Sequence, residues 1–524
     1  MATLPTALAP LQLPVFRLLW LTWFAANTTM WMNDVAGAWL MTSLAPSPLW
    51  VALVQAASTL PVFFLGLPSG ALADIVDRRR FLLATQLWLA AIAAITCTTV
   101  LLGWMTAPLL LALTFLNGIG LALRWPVFAA IMPEVLPRPL LAQGLALNGI
   151  SMNGARIIGP LVAGAIIASL GSAWVFVLNT LLSLMAAYGV MRWHREHKES
   201  PLGREPLGSA IRVGLQFVRE SHRMRGVLAR ISLFFLHCTA LLALLPLVAK
   251  GLPGGDAGTF TLLLASMGSG AIVAVLFMPR LRQALPGDRL VITGTVVQSL
   301  SAVAVAWSPH AAVAAVGMFV CGVAWISVAN TNTVAAQMAL PDWVRARGMS
   351  MYQMAIMGST ALGAALWGQV ATWLGITAAL EIAAVTSVVL MVTAQRLTPD
   401  RGTEEDLSPA KRLVLPEVPV RPGSGRILTR VEYRIDPARA EDFMALMNDS
   451  RSSRLRQGAL AWQLLHDVAE PGRYVEQIID ESWTEHLRRF DRISADDAQL
   501  RDRRMSFHLG EEPPRVTRYV IEQD

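Results

Sequence analysis

The sequence predicts an all-α membrane fold: twelve transmembrane helices in two parallel six-helix repeats, followed by a small α+β domain on the cytoplasmic side. Three observations predict it. Apolar residues gather into twelve long stretches within the first 395 positions, basic residues fall on alternate connections between them, and the glycines of the first half return 204 positions later.

Only 15% of the 524 residues are charged, against roughly one quarter in a soluble globular protein. Residues 1–395 carry 12 acids and 22 bases, a net +10, whereas residues 396–524 carry 24 acids and 21 bases, a net −3. An apolar basic body and a mixed-charge tail are physically different objects. A bilayer core of about 30 Å takes roughly 20 apolar residues of helix. Twelve stretches qualify: 15–41, 50–69, 82–103, 107–131, 141–168, 172–191, 227–249, 258–279, 289–307, 312–335, 347–372 and 376–394. Lipid offers backbone groups no water, so these stretches must be helical. The first is too long for a secretory signal core and has only Arg17 near its start, so no signal peptide is expected.

With the N-terminus placed in the cytoplasm, the cytoplasmic connections before the tail hold 19 bases, nine of them between Arg192 and Arg230, and the external loops hold one, Lys250. This is the positive-inside pattern, and a single miscounted span would scramble it. It sets a multi-pass protein of the cell inner membrane with both termini cytoplasmic and the lipid bilayer as its first partner. It also explains the +7 net charge without nucleic acid. Cys97, Cys238 and Cys321 lie far apart in apolar stretches, which gives neither a disulfide framework nor a metal spacing. No phosphate-binding loop of the Gly-x4-Gly-Lys-Ser/Thr type is present, so ATP-driven pumping is not expected, and no cofactor is called for.

The repeat is ungapped. Pro137 matches Pro341, and Gly144, Gly154, Gly159, Gly164 and Gly171 match Gly348, Gly358, Gly363, Gly368 and Gly375; upstream, Gly66 matches Gly270 and Gly118 matches Gly322. The halves are therefore residues 1–191 and 227–395, joined by a connecting loop at 192–226. Parallel six-helix repeats with a solute site between them near the midplane describe a class of secondary transporter. Four formal charges lie well inside the spans: Asp34, Arg124, Arg156 and Glu381. A charge at the bilayer centre costs at least about 2.5–3.5 kcal/mol, so each must face a cavity or a partner.

The loop after span two reads Gly70-Ala-Leu-Ala-Asp74-Ile-Val-Asp77-Arg78-Arg79-Arg80, and span five reads Asn153-Gly-Ala-Arg156-Ile-Ile-Gly159-Pro160-Leu-Val-Ala-Gly164. On these motifs residues 15–395 resemble the major facilitator superfamily. The first is similar to its loop motif, with Ile75 where a base is usual and Asp77 where a glycine is usual. The second is similar to the Gly-Pro motif of exporters, carried here by Gly159, Pro160 and Gly164. With the run Leu-Leu-Pro246-Leu-Val-Ala-Lys250, it also resembles the subgroup of secretion carriers that contains the enterobactin exporter.

The resemblance implies alternating access and efflux of a small organic molecule, siderophore- or drug-like, by a proton-coupled antiporter. It places span one on the central cavity, which makes Asp34 a candidate to bind and release the coupling proton; the alternative is an outer-end carboxylate satisfied by polar neighbours. His237 on span seven, whose imidazole titrates near neutral pH, is the second proton candidate, or else simply a hydrogen-bonded ring. Arg124 and Arg156 stay charged and serve either substrate binding or bracing. Trp31, Trp125 and Trp325 lie on spans that face the cavity and would form an aromatic wall. Gly70, Asp74, Arg78 and Arg79 would make a gating latch, with a solvated topogenic cluster as the alternative. Glu381 on peripheral span twelve reads as structural.

Residues 396–424 read as a linker. Beyond it, strands are expected at 427–435, 461–467, 473–481 and 515–521, with helices from Asp436-Pro437 to about Arg456 and from Ser482 to Ile493. The order βαββαβ points to a ferredoxin-like sheet. The domain resembles the antibiotic-biosynthesis monooxygenases, which implies pairing of two copies through their sheets. No nucleophile constellation is visible and His466 and His486 read as isolated, so a regulatory or dimerising module is favoured over an enzyme. Two further readings of the whole chain remain open: a membrane sensor signalling through the tail, and a membrane-tethered monooxygenase-like enzyme.

Overall fold

The computed structural model describes residues 6–75, 77–137, 140–193, 207–285, 287–397, 406–407 and 425–522. Within the helices some side chains also fall outside the described residues, among them those of residues 70–75, Trp125 and Asn153. The chain divides into two compact units. The first comprises residues 1–200, 229–333 and 350–397; the second comprises 201–228, 334–349 and 398–524.

The helices ahead of the tail are α1 (Pro14–Leu44), α2 (Pro48–Ile75), α3 (Arg78–Leu101), α4 (Ala107–Val135), α5 (Leu141–Leu170), α6 (Ser172–Arg192), α7 (Leu207–Glu220), α8 (His222–Gly251), α9 (Ala257–Ala284), α10 (Gly287–Ala306), α11 (Ala311–Met338), α12 (Asp342–Leu374) and α13 (Ile376–Leu397). Eleven of them, α2–α6 and α8–α13, are long and apolar enough to cross a bilayer. The twelfth expected span, α1, has 31 residues but is interrupted by Asn27, Thr28, Thr29, Asn33 and Asp34. Asn27, Thr28 and Thr29 are buried, so the polar stripe of α1 turns into the bundle and its departure from an apolar helix is a property of its packed face. The outer faces behave oppositely: Leu181, Leu184, Met185, Leu276, Val385 and Val389 are exposed, which suits lipid and would be a liability in water.

One end of the bundle, where α1 finishes and α2 begins, is termed the distal end. Trp104, Trp174, Trp307 and Trp373 are exposed there at the ends of α3, α6, α10 and α12, as interfacial tryptophans are.

The repeat is a structural fact as well as a sequence one. Gly171 and Gly375 both take positive φ, +92° and +88°. Each ends one helix and starts the next in a single residue, a conformation a side chain resists. A Cβ at Gly144 would stand 2.0 Å from Leu136, and one at its mate Gly348 would stand 2.4 Å from Leu340, so the same leucine-on-glycine contact is built twice. Gly118 lets α4 reach the backbone of α2 at Ser58, and Gly322 lets α11 reach α9 at Met267.

In the second unit the tail forms β1 (Arg426–Arg434), α14 (Ala440–Arg456), β2 (Ala461–His466), β3 (Arg473–Asp480), α15 (Trp483–Asp491), α16 (Ala495–Met505) and β4 (Arg515–Ile521). The four strands make one antiparallel sheet in the order β2-β3-β1-β4. The strands fall where expected, but the second helical segment is two helices. Ser494 and Asp497 form a reciprocal capping box that starts α16. The buried face of α15 is largely polar: Glu485, His486 and Arg489 are buried with Trp483. Nearly all of the linker at 396–424, and residues 194–206 of the connecting loop, lie outside the described residues.

Candidate functional site

Asp34 sits on α1 where it faces α2. Its Oδ1 accepts a hydrogen bond of 3.0 Å from Ser58 Oγ. The carboxylate opens on a small cleft lined by Ala38, Val51, Val54 and Gln55 of the first half and by Leu242 and Ala243 of α8 in the second. The acid therefore lies at the seam between the halves. Gln55 and Ser58, one turn apart on an otherwise apolar span, were the sequence signal for this partner.

Arg156 lies on α5, four residues before Pro160. A proline has no N–H, so the carbonyl of Arg156 loses its intrahelical donor and α5 is weakened at this turn. The adjacent Gly159 allows a close approach by α1: a Cβ there would stand 2.6 Å from Trp31 Cβ. The exporter-type motif thus places Trp31 beside Arg156. The guanidinium carbon lies 5.4 Å from the Trp31 ring centroid and 3.8 Å from that of Trp325, and Trp325 belongs to α11, in the other half. Arg156 makes no hydrogen bond or ion pair with any described residue. The indole Nε1 of Trp31 is buried and unpartnered among the described residues, and that of Trp325 is buried and turned toward the Cys238 thiol.

Arg124 differs in burial and in hydrogen bonding. It is fully buried and is held by α1, donating to Ala26 O at 3.0 Å and to Asn27 Oδ1 at 3.3 Å, with Trp23 5.0 Å from the guanidinium carbon. It braces α4 on α1. His237 Nδ1 donates to Leu233 O at 2.7 Å. The ring lines a cavity with residues of α10 and α13, including Gln298, Ser299, Leu380 and Ser387; Asp34 is not among the lining residues. Glu381 accepts from Trp307 Nε1 at 2.8 Å, an interfacial contact between neighbouring helices.

Of the expected latch, Gly70 and the side chain of Asp74 lie outside the described residues, as does the side chain of Trp125. Arg79 reaches the end of α6, where Met191 O accepts at 2.5 Å and Val190 O at 3.5 Å, a favourable place for a cation at a helix C-terminus. Asp77, standing where the family has glycine, caps α3 by accepting from the Arg80 amide at 2.9 Å. A pair not anticipated from sequence, Arg230 with Asp288 at 2.6 Å, joins α8 to the start of α10.

At the distal end the halves are closed on each other. A Cβ at Gly164 on α5 would stand 1.6 Å from Thr261 on α9, and one at Gly368 on α12 would stand 2.6 Å from Ala52 on α2. The Leu49 amide donates to Thr372 Oγ1 at 3.2 Å. Lys250 donates to Thr42 O at 3.3 Å and lies over Trp39, whose ring stacks on Phe260.

The tail holds a separate polar core. Glu476 is fully buried and is bonded by Arg454 Nε at 3.1 Å, Trp462 Nε1 at 3.0 Å and Tyr433 Oη at 3.2 Å. Burial alone would raise its carboxyl, but Arg454 and Arg504 outweigh that and bring it down to about 2. His486 is not isolated: its Nδ1 faces Asp480 at 2.6 Å, and its Nε2 accepts from Arg518 at 3.2 Å. His466 stacks on Tyr474. Among the described residues no cluster of His, Cys, Asp or Glu could hold a metal ion.

Solved transporters share this bundle. The nucleoside transporter NupG is 12% identical over 74% of this chain and 99% of its own, with a TM-score of 0.60. The peptide transporter POT in complex with sulfate is 14% identical over 74% and 94%, at 0.59. A bacterial homolog of the human lysosomal transporter Spinster, inward-facing and unoccupied, is 14% identical over 76% and 97%, at 0.56. At such identities the likeness is one of fold. No curated protein matches the chain. The family model described as transmembrane secretion effector matches residues 5–524. Membrane body and tail are spanned together, and the chain belongs to the transmembrane secretion effector family.

Proposed function

We propose that this protein is a proton-coupled exporter of a small organic molecule, an antiporter working by alternating access between a first half at 1–191 and a second at 227–395. The observation that carries the reading is the placement of two charges, Asp34 and Arg156, at the seam between halves that close on each other distally. Neither meets an opposite charge among the described residues, and a charge kept in such a place is a functional liability unless it is used. A carboxylate whose hydrogen bond among the described residues comes from Ser58 alone can be protonated from one side and deprotonated from the other as the seam opens in turn. Arg156 supplies a fixed positive charge whose demand for an anion is met by the solute.

In this reading α1 is the twelfth span. The 19-to-1 distribution of bases favours an inner-membrane protein with both termini cytoplasmic, so the distal end faces outward and the conformation is inward-facing. The test is flux in proteoliposomes under an imposed pH gradient. Asp34→Asn is expected to abolish gradient-driven flux while solute exchange persists; coupling that survives this change refutes the assignment.

For the tail we favour a regulatory role on a ferredoxin-like domain, a topology supported by the strand order β2-β3-β1-β4. The specific support is within the second unit. Arg212 of α7, the helix that connects the two halves, pairs with Glu481 at 2.7 Å and donates to Gly458 O at 3.3 Å, and Gln216 donates to Ala459 O at 3.1 Å. Homodimerisation through the open face of the sheet belongs to the same reading, and the mass of the detergent-solubilised chain with and without residues 425–524 checks it.

A further inference from the structure

The geometry points to a planar aromatic anion as the solute: its acid group on the Arg156 guanidinium, its ring against the indoles of Trp31 and Trp325. The inference rests on the transporter reading only for the site's role in transport; the binding chemistry stands on its own.

Three facts define what the site lacks. Arg156 has five N–H donors and spends none on a described residue. It remains half-buried, so the guanidinium is reachable where the sealed Arg124 is not. The Nε1–H of Trp31 is also unpartnered among the described residues, while that of Trp325 is turned toward the Cys238 thiol. A fixed positive charge with free donors on Arg156 and Trp31 and no carboxylate paired to it is best complemented by an acceptor-rich anion. The groups facing Arg156 electrostatically are the thiols of Cys238 and Cys321, with Gln298 behind Cys321 at 3.0 Å; none of these is a fixed negative charge. A cationic solute would meet Arg156 unopposed and be repelled.

The walls set the second half of the specificity. Two indoles converge on one guanidinium from opposite halves of the protein, and Phe235 meets Trp325 edge-on at 5.7 Å between centroids. Such faces favour an offset or edge-on aromatic partner over a saturated chain. The planar guanidinium takes a carboxylate bidentately, which an ammonium cannot do. A carboxylate conjugated to a ring satisfies both demands in one plane. Because Trp325 belongs to the second half and Arg156 with Trp31 to the first, such a solute bridges the seam that must open and close.

The experiment is equilibrium binding by calorimetry to the purified full chain in detergent. It uses three probes: 1-naphthoate, 1-naphthylmethylammonium and decanoate. Saturable binding of 1-naphthoate is expected, at least tenfold tighter than either of the others. Arg156→Gln should weaken 1-naphthoate tenfold or more, and Trp325→Leu severalfold. If Arg156→Gln does not fold, Arg156→Lys decides: it keeps the charge but loses the fork, and 1-naphthoate should weaken severalfold. The inference is overturned if none of the probes binds, if the ammonium or decanoate binds as tightly as 1-naphthoate, or if Arg156→Lys and Arg156→Gln leave affinity unchanged. Tight, Arg156-dependent binding in a protein that shows no gradient-driven flux sustains this inference and defeats the exporter.

Discussion

Arg124 and Arg156 are each a lone arginine in an apolar helix, and sequence gives them the same reading. Their neighbours separate them: Asn27 and the Ala26 carbonyl close over Arg124, whereas Pro160 and Gly159 leave Arg156 beside two indoles with no hydrogen-bonding partner among the described residues. The tail makes the complementary case. Glu476 is held by groups from β1, β2, α14 and α16. Its carboxyl stands near 2 in the fold against an ordinary 4.5. The folded value is the lower one, so the stabilisation is fully present above about pH 4.5 and is lost as pH falls toward 2. The difference corresponds to roughly 3 kcal/mol. Glu476→Gln should cost on the order of 3–5 kcal/mol at neutral pH, because Arg454 and Arg504 are left buried without their counter-charge. Amide exchange of β3 and α14 in the full chain is the measurement: protection should fall in the variant, and its loss between pH 4.5 and 2 should flatten. These partners were not legible in sequence. Glu476 and Arg454 lie 22 residues apart, His486 and Arg518 lie 32 apart, and neither spacing belongs to a helix or a strand; only the packing of α14 and α15 on the sheet brings them together.

Helices were the legible elements. Lipid dictates their length and apolarity, and the close contacts between them leave glycine as a written trace: Gly164 meets Thr261 and Gly368 meets Ala52, at positions 204 residues apart. What the sequence hid was the burial of the polar residues of α1, and α16, which follows α15 after a short break marked only by its capping box. The amphipathic α7 was read as part of a loop. Its docking on the tail includes a partly exposed ion pair, worth only about 0.2–1 kcal/mol by itself, two hydrogen bonds to the backbone at Gly458 and Ala459, and the packing of buried Val213 against Gly458. Arg212→Glu removes the first bond and sets like charges against each other at Glu481. The α7 amides should then exchange faster while those of β1 and β3 do not change. If gradient-driven flux is unaltered when α7 is released, the tail does not regulate transport through this contact.

At the scale of the molecule, charge and aromaticity describe the same axis from opposite ends. Bases crowd the connections at one end, and Trp104, Trp174, Trp307 and Trp373 are exposed at the other, where the halves also touch. Alternating access requires these distal contacts to part. Leu49 and Thr372, joined by a backbone-to-hydroxyl bond of 3.2 Å, sit on α2 and α12, one in each half, so a short covalent link between them forbids the outward-open state while leaving the helices intact. Leu49→Cys with Thr372→Cys, bridged by a short bis-maleimide, should abolish flux. The three native cysteines are buried and out of the reagent's reach, so each single-cysteine variant treated in the same way should retain flux. Binding of 1-naphthoate to the bridged protein should persist, since Arg156, Trp31 and Trp325 already stand together in the distally closed form. Undiminished flux in the bridged double variant would mean that the distal seam does not open during transport, and the two halves would then have to exchange access by another route.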